Sequence, residues 1–200
     1  MILKIYQFIL NRSKRKFRYF RNYCKLVSQI CRKGGYIGTY TTLKHCEYVK
    51  LGTNVKINEQ VRIECYPEYL GVRHNPELVI EDGTIIGPNF TAFVADSVTI
   101  KRNCIFAGSV TLVSENHGTN PLNSVCYQKE PLQTGPIVVG EGCWLGQNVT
   151  VLPNTTIGDR CIVASNAVVR GVVPSFSMVA GIPAKVIKMF NCNTNCWERV

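Results

Sequence analysis

The 200-residue sequence predicts an all-β solenoid: short parallel strands wound into about five triangular coils, with a basic helical segment ahead and a short tail behind. Three observations predict it. From Val139 every sixth residue is aliphatic, through Leu145, Val151, Ile157, Val163 and Val169. In a second phase, Cys143, Val149, Thr155, Cys161, Ala167 and Val173 are all small or β-branched. The period recurs earlier in the chain, and where it fails the residues suit loops. A period of six fits neither the 3.6 of a helix nor a long two-residue alternation. It fits a short strand, a corner and another short strand.

Residues 1–34 read as a basic amphipathic helical segment. Phe17, Phe20, Cys24, Val27 and Cys31 step by three and four, forming one apolar stripe. Residues 1–33 hold ten basic residues and no acid. The remaining thirteen basic residues face all thirteen acids, so the net charge of +10 belongs to this arm and the body is neutral. Two uses of the helix stay open. It packs its stripe on the body or a sister subunit, or it lies on anionic lipid headgroups. No base-reading module accompanies the charge, so nucleic acid is not an expected partner.

Residues 35–190 form the repeat domain. Leu51, Ile57 and Ile63 open the period, with Val55 and Val61 on the second inward phase. Residues 65–78, with Pro67, Gly71 and Pro76, are read as a loop. The period resumes with Ile80, Ile86 and Ala92, slips by two, and continues with Ile100, Phe106 and Leu112. Loop 113–136 is polar and carries His117, and a long loop inside a repeat array points to function. The period then runs from Ile137 to Pro174, and residues 191–200 are a tail.

Ten cysteines suggest a disulfide set at first. Cys104, Cys143 and Cys161, however, fall on the small inward phase and act there as small hydrophobes. Met1–Leu10 is followed by basic residues where a cleavage site would lie, and no apolar run approaches a membrane span. The thiols are therefore read as reduced and the protein as cytoplasmic. Cys192 and Cys196 lack two further ligands at zinc spacing, so no metal is expected.

The string "GPIVVGEGCWLGQNVTVLPNTTIGDRCIVASNAVVRGVVPSFSMVAGIPAKVIK", preceded by "SENHG" and a loop, resembles the hexapeptide-repeat acyltransferases. Within them it is most similar to the sugar O-acetyltransferase branch of maltose and galactoside acetyltransferases, and closest to the colanic acid type of polysaccharide biosynthesis. The resemblance covers residues 45–190. It implies a left-handed parallel β-helix and a homotrimer with active sites between subunits. It also implies acetyl-CoA as co-substrate, lying in the intersubunit groove, and a sugar or glycan acceptor. Matched residue by residue, His117 is the general base and Glu115 its partner or an acceptor contact. Asn116 lies on the substrate side. Trp144 lines the groove for substrate and cofactor. Gln147, Ser165 and Arg170 meet the pantetheine arm. Lys185 and Lys188 meet the 3′-phosphate and adenine end. "VVRGVVP" departs from the usual turn, which affects the contacts at Arg170 and Gly171.

The implied reaction is acetyl transfer to a hydroxyl of a sugar or of a polysaccharide or glycolipid precursor. Such a precursor at the cytoplasmic membrane face would suit an interfacial arm on residues 1–33. N-acetylation of an amino sugar is the alternative, since an amine acceptor also needs a base. A noncatalytic β-helix scaffold would not need His117, Trp144 and Lys185 together. A zinc enzyme of the same repeat type would need three converging histidines. His45 and His74 lie far from His117 in sequence and are read as structural.

Overall fold

A computed structural model describes residues 20–122 and 126–200. Three parallel sheets form the faces of a prism. The first face stacks Tyr36–Ile37, Lys56–Ile57, Ile85–Ile86, Ile105–Phe106, Trp144–Leu145, Ile162–Val163 and Ser177–Gly181. The second stacks Thr42–Lys44, Arg62–Cys65, Thr91–Val94, Thr111–Val113, Thr150–Val151 and Val168–Val169. The third stacks Val49–Leu51, Glu77–Ile80, Ser97–Ile100, Ile137–Val139, Thr155–Ile157 and Val172–Val173. The fold is a left-handed parallel β-helix, and each face carries at least six parallel strands rather than about five. The additional turn is the first. Its inward residues Ile37, Leu43 and Val49 are six apart but two residues out of phase with Leu51, and the strand Val49–Leu51 turns both ends inward.

Both inward phases are buried in one continuous core. The register stacks Ile57, Ile86, Phe106, Leu145, Val163 and Val179 along the first face. Each such aliphatic side chain contributes about 1.5–3 kcal/mol, but only because the turns above and below cover it. The small phase has a second use. Cys104 Sγ donates to the Gly140 carbonyl, Cys143 Sγ to Gly158 and Cys161 Sγ to Pro174, each at 3.0 Å. The thiols thus satisfy corner carbonyls of successive turns, and none of these three is in a disulfide. Asn54, Asn89, Asn103, Asn148, Asn154 and Asn166 occupy corners with φ of 55–61°. Asparagine reaches this left-handed region more readily than other side chains.

Residues 20–32 form a helix across the first-turn end. Its buried side chains are Leu26 and Ile30, with Tyr23 packed against the core. The expected stripe is therefore corrected: Phe20, Cys24 and Cys31 are exposed, Val27 is half-buried, and Phe17 lies outside the described residues. The helix end fixes this rotation. Gly34 is left-handed at φ 78°, Gly34 N donates to Cys31 O, and Gly35 N donates to Ile30 O at 2.9 Å, a Schellman closure. A Cβ on Gly35 would meet Val55 O at 2.1 Å.

The other end is closed by Ala184–Asn191, antiparallel to Ser177–Gly181, with Ala184 and Val186 against the core. The last residues do not trail as a tail. Cys196–Arg199 pairs back on Ala184–Asn191, and the rings of Phe190 and Trp197 meet edge to face at 5.4 Å.

Candidate active site

Two excursions leave the edge between the second and third faces. The first follows Arg62–Cys65 and carries a small hairpin, Glu68–Tyr69 with Val72–Arg73. Its tip, Leu70-Gly71, has both φ angles positive, as a two-residue hairpin turn demands. The second follows Thr111–Val113 and pairs Glu115–His117 antiparallel with Leu132–Thr134. One bare turn separates them, and Ser114 holds it. Ser114 Oγ accepts from Ala95 N and Asp96 N at 2.9 and 3.1 Å and donates to Phe93 O. The excursions then meet: Tyr69 Oη donates to Gln128 O at 2.7 Å.

Strand alternation places Glu115 and His117 on one side and Asn116 on the other. Glu115 and His117 line a cleft of about 360 Å³ with Tyr66, Tyr69, Gln128 and Leu132. The Tyr69 ring lies 5.5 Å from the His117 ring at 57°. Gly118 follows because a Cβ there would meet Glu130 at 2.8 Å. In "SENHG" the serine locks the corner, Glu115 and His117 face the cleft, and the glycine lets the loop close.

The electrostatics centre on Glu115. Burial raises its carboxyl above the ordinary range, opposed by the charges of His117 and His74. His74, expected to be structural, sits near enough to act on Glu115, and its Nε2 is buried without a hydrogen-bond partner. The sequence reading also missed Tyr66. Burial and its hydrogen bond to Glu64 raise the phenol, which donates to Glu64 Oε2 at 2.8 Å. Burial would raise Glu64, but Tyr66, Arg62 and Lys44 outweigh it and hold that carboxyl low. Arg62 and Lys44 lie on Glu64 at 2.7 and 3.5 Å.

The other expected residues fall elsewhere on the prism. Asn116 and Arg170 share a neighbouring cleft of about 390 Å³ on the same edge, with Gly171 and Gln133. Gln147 and Ser165 come together with Ser109, Asn148 and Asn166 on the edge between the first and second faces, in a cleft of about 320 Å³. Trp144 is 53% exposed on the outside of the first face, in register with Ile105 and Ile162. Following that row through Met178 leads to Lys188, with Lys185 opposite Ala180 on the same added strand. Within one chain His117 is therefore grouped with Glu115, not with Trp144, Gln147, Ser165, Lys185 or Lys188.

Residues 136–171, the stretch of cleanest period, match the family model of the bacterial transferase hexapeptide, six repeats. Along that stretch the chain is similar to the bacterial hexapeptide-repeat transferases. Over 110 residues it is 41% identical to the putative lipopolysaccharide biosynthesis O-acetyl transferase WbbJ of Escherichia coli, covering 52% of this chain and 56% of that one. It is 29% identical to the putative colanic acid biosynthesis acetyltransferase WcaF of Escherichia coli, covering 70% and 68%. The chain spans about half the length of several curated relatives it matches. Among solved structures, the N-acyltransferase AntD of Bacillus cereus superposes with a TM-score of 0.64 at 13% identity, covering 84% of this chain and 89% of that one, a likeness of fold.

Proposed function

We propose that the protein is an acetyl-CoA-dependent O-acetyltransferase that acts on a hydroxyl of a sugar in a polysaccharide or glycolipid precursor, in the cytoplasm, with His117 as general base. The observation that carries this reading is the convergence of His117 and Glu115 in one cleft against the Tyr69 ring. His117 takes the proton of the acceptor hydroxyl as its oxygen attacks the thioester carbonyl carbon. The tetrahedral intermediate collapses with loss of the CoA thiolate, which recovers that proton from the imidazolium. The atoms balance without a metal or an oxidant. Glu115 opposes the imidazolium charge and orients the ring, and Tyr69 offers an apolar face to a sugar. The relatives named for O-acetyl transfer support the hydroxyl acceptor.

Trp144, Gln147, Ser165, Lys185 and Lys188 form the proposed donor side, with Arg170 and Asn116 at the junction. Face width separates that side from His117 by roughly 15 Å, from about 3.3 Å per strand residue. A second copy of the chain closes the gap, so the working assembly is a homotrimer with each site between two copies. The apolar row of Ile105, Trp144 and Ile162 on the outside of the first face supports such a contact.

N-acylation of an amino sugar is the second reading, because AntD was solved with dTDP and 3-hydroxybutyryl-CoA. One experiment tests both. CoA release is followed over free, nucleotide-linked and lipid-linked sugars, with hydroxyl-only and amino forms of each. His117→Ala should retain its fold and lose about 10²–10⁴-fold in kcat. Unchanged turnover in His117→Ala removes the base, and turnover confined to amino sugars selects the second reading.

A further inference from the structure

The helix over residues 20–32 has two apolar stripes, and the prism uses one. Leu26 and Ile30 are buried and Tyr23 is packed beside them. Phe20 is 65% exposed, and Cys24 and Cys31 are exposed on the far side. Arg21, Lys25 and Arg32 border this second stripe and line a shallow outer groove with Cys24, Ser28 and Gln29. Among the described residues none of these three cations has a carboxylate within ion-pair distance. The outer face of this helix thus combines an exposed phenylalanine with three cations that have no carboxylate partner among the described residues.

The position of the helix adds a second observation. Near Asn22 it is tied to the prism: Asn22 Nδ2 donates to Glu47 Oε2 at 3.1 Å, at the corner Cys46–Tyr48. That corner lies on the same prism edge as the two excursions that build the His117 cleft, one and three turns further along. Its far end is tied at another edge by Asn54 N to Lys33 O and by Lys33 Nζ to Leu51 O. The described helix therefore lies across the prism end, with Phe20 and Arg21 under the cleft edge. At about 4.8 Å per turn, the cleft stands on the order of 5–15 Å above it.

We infer that the outer face of this helix is a docking surface for an anionic lipid bilayer. It lies in the headgroup plane with Phe20 inserted and Arg21, Lys25 and Arg32 on lipid phosphates, and it brings the cleft within reach of a sugar carried on a membrane lipid. Basic side chains beside an apolar stripe are the chemistry that selects anionic over zwitterionic headgroups. The acceptor class in this inference, a lipid-linked sugar, rests on the sugar-acetylation reading above; the bilayer contact itself does not.

The test uses the full chain and vesicles of phosphatidylcholine, alone or mixed with phosphatidylglycerol. The chain should co-sediment with the mixed vesicles and stay in solution with phosphatidylcholine alone. A Phe20→Asp variant, and a second variant carrying Arg21→Gln, Lys25→Gln and Arg32→Gln, should bind mixed vesicles roughly tenfold and a hundredfold more weakly. Both should acetylate a free sugar at the parent rate while losing turnover on the same sugar carried in a vesicle. Equal binding to both vesicle types, no binding to either, or unchanged binding by the two variants overturns the inference. A change in oligomeric mass of Phe20→Asp by sedimentation velocity assigns the stripe to a second copy and overturns it as well. Vesicle binding that obeys these expectations without acetylation of any sugar leaves the docking surface standing and removes the sugar-acetylation reading instead.

Discussion

Glu115 carries a conflict between stability and use. Its folded carboxyl is raised by burial, so the protonated form favours the fold. That contribution is complete below the unfolded value, about 4.3, and is lost as pH rises through the raised folded value. Ionised at neutral pH, Glu115 costs stability. Glu115→Gln should therefore raise the thermal midpoint at pH 7, with the gain shrinking as pH falls through the raised folded value and gone below about pH 4, while kcat falls roughly 10²-fold as His117 loses its orienting charge. Thermal melts across pH beside initial rates check both halves. Tyr69→Ala removes the ring beside His117 and the link to Gln128. It should raise KM for the acceptor about two- to tenfold and leave KM for acetyl-CoA unchanged, as read from two-substrate kinetics. The sequence exposed His117 and Glu115 through their motif. It did not expose Tyr69, which reaches Gln128 across 59 residues, or His74, because a broken period says that a loop exists and not what it touches.

The repeats were legible because burial and period coincide: every inward residue expected from 51 to 173 lies in the core. The added first turn and the helix rotation were not legible in the same way. Ile37, Leu43 and Val49 keep the six-residue step but change phase. The helix carries two candidate stripes, and a backbone contact at Gly35 decides between them. The meeting of the two loops also left a signal: both begin after a strand of the second face, so hexads counted in threes place them on one edge. Leu145 is fully buried in the middle of the first-face row. Leu145→Ala should cost about 2–5 kcal/mol, since stacked turns cannot collapse sideways into the void. Urea unfolding by circular dichroism measures it.

At the scale of the molecule, the proposed homotrimer, with His117 and Gln147 supplied to each site by different copies, makes a prediction about mixtures. Suppose His117→Ala and a Trp144→Ala, Gln147→Ala variant are each inactive. Unfolded together and refolded as mixed trimers, they should recover about a quarter of parental turnover, because a site built across two copies takes one intact half from each. No recovery, with mixed trimers confirmed by mass, places both halves in one chain.

The bare turn at Ala95–Asp96, held by the Ser114 hydroxyl, separates two loops that share a cleft but no repeat. Either loop can be lengthened, shortened or exchanged between relatives without moving an inward side chain. The prism then works as a fixed chassis on which one edge is open to revision. Change in acceptor is expected to track the lengths of residues 66–76 and 114–136, while the hexads beneath them stay the same.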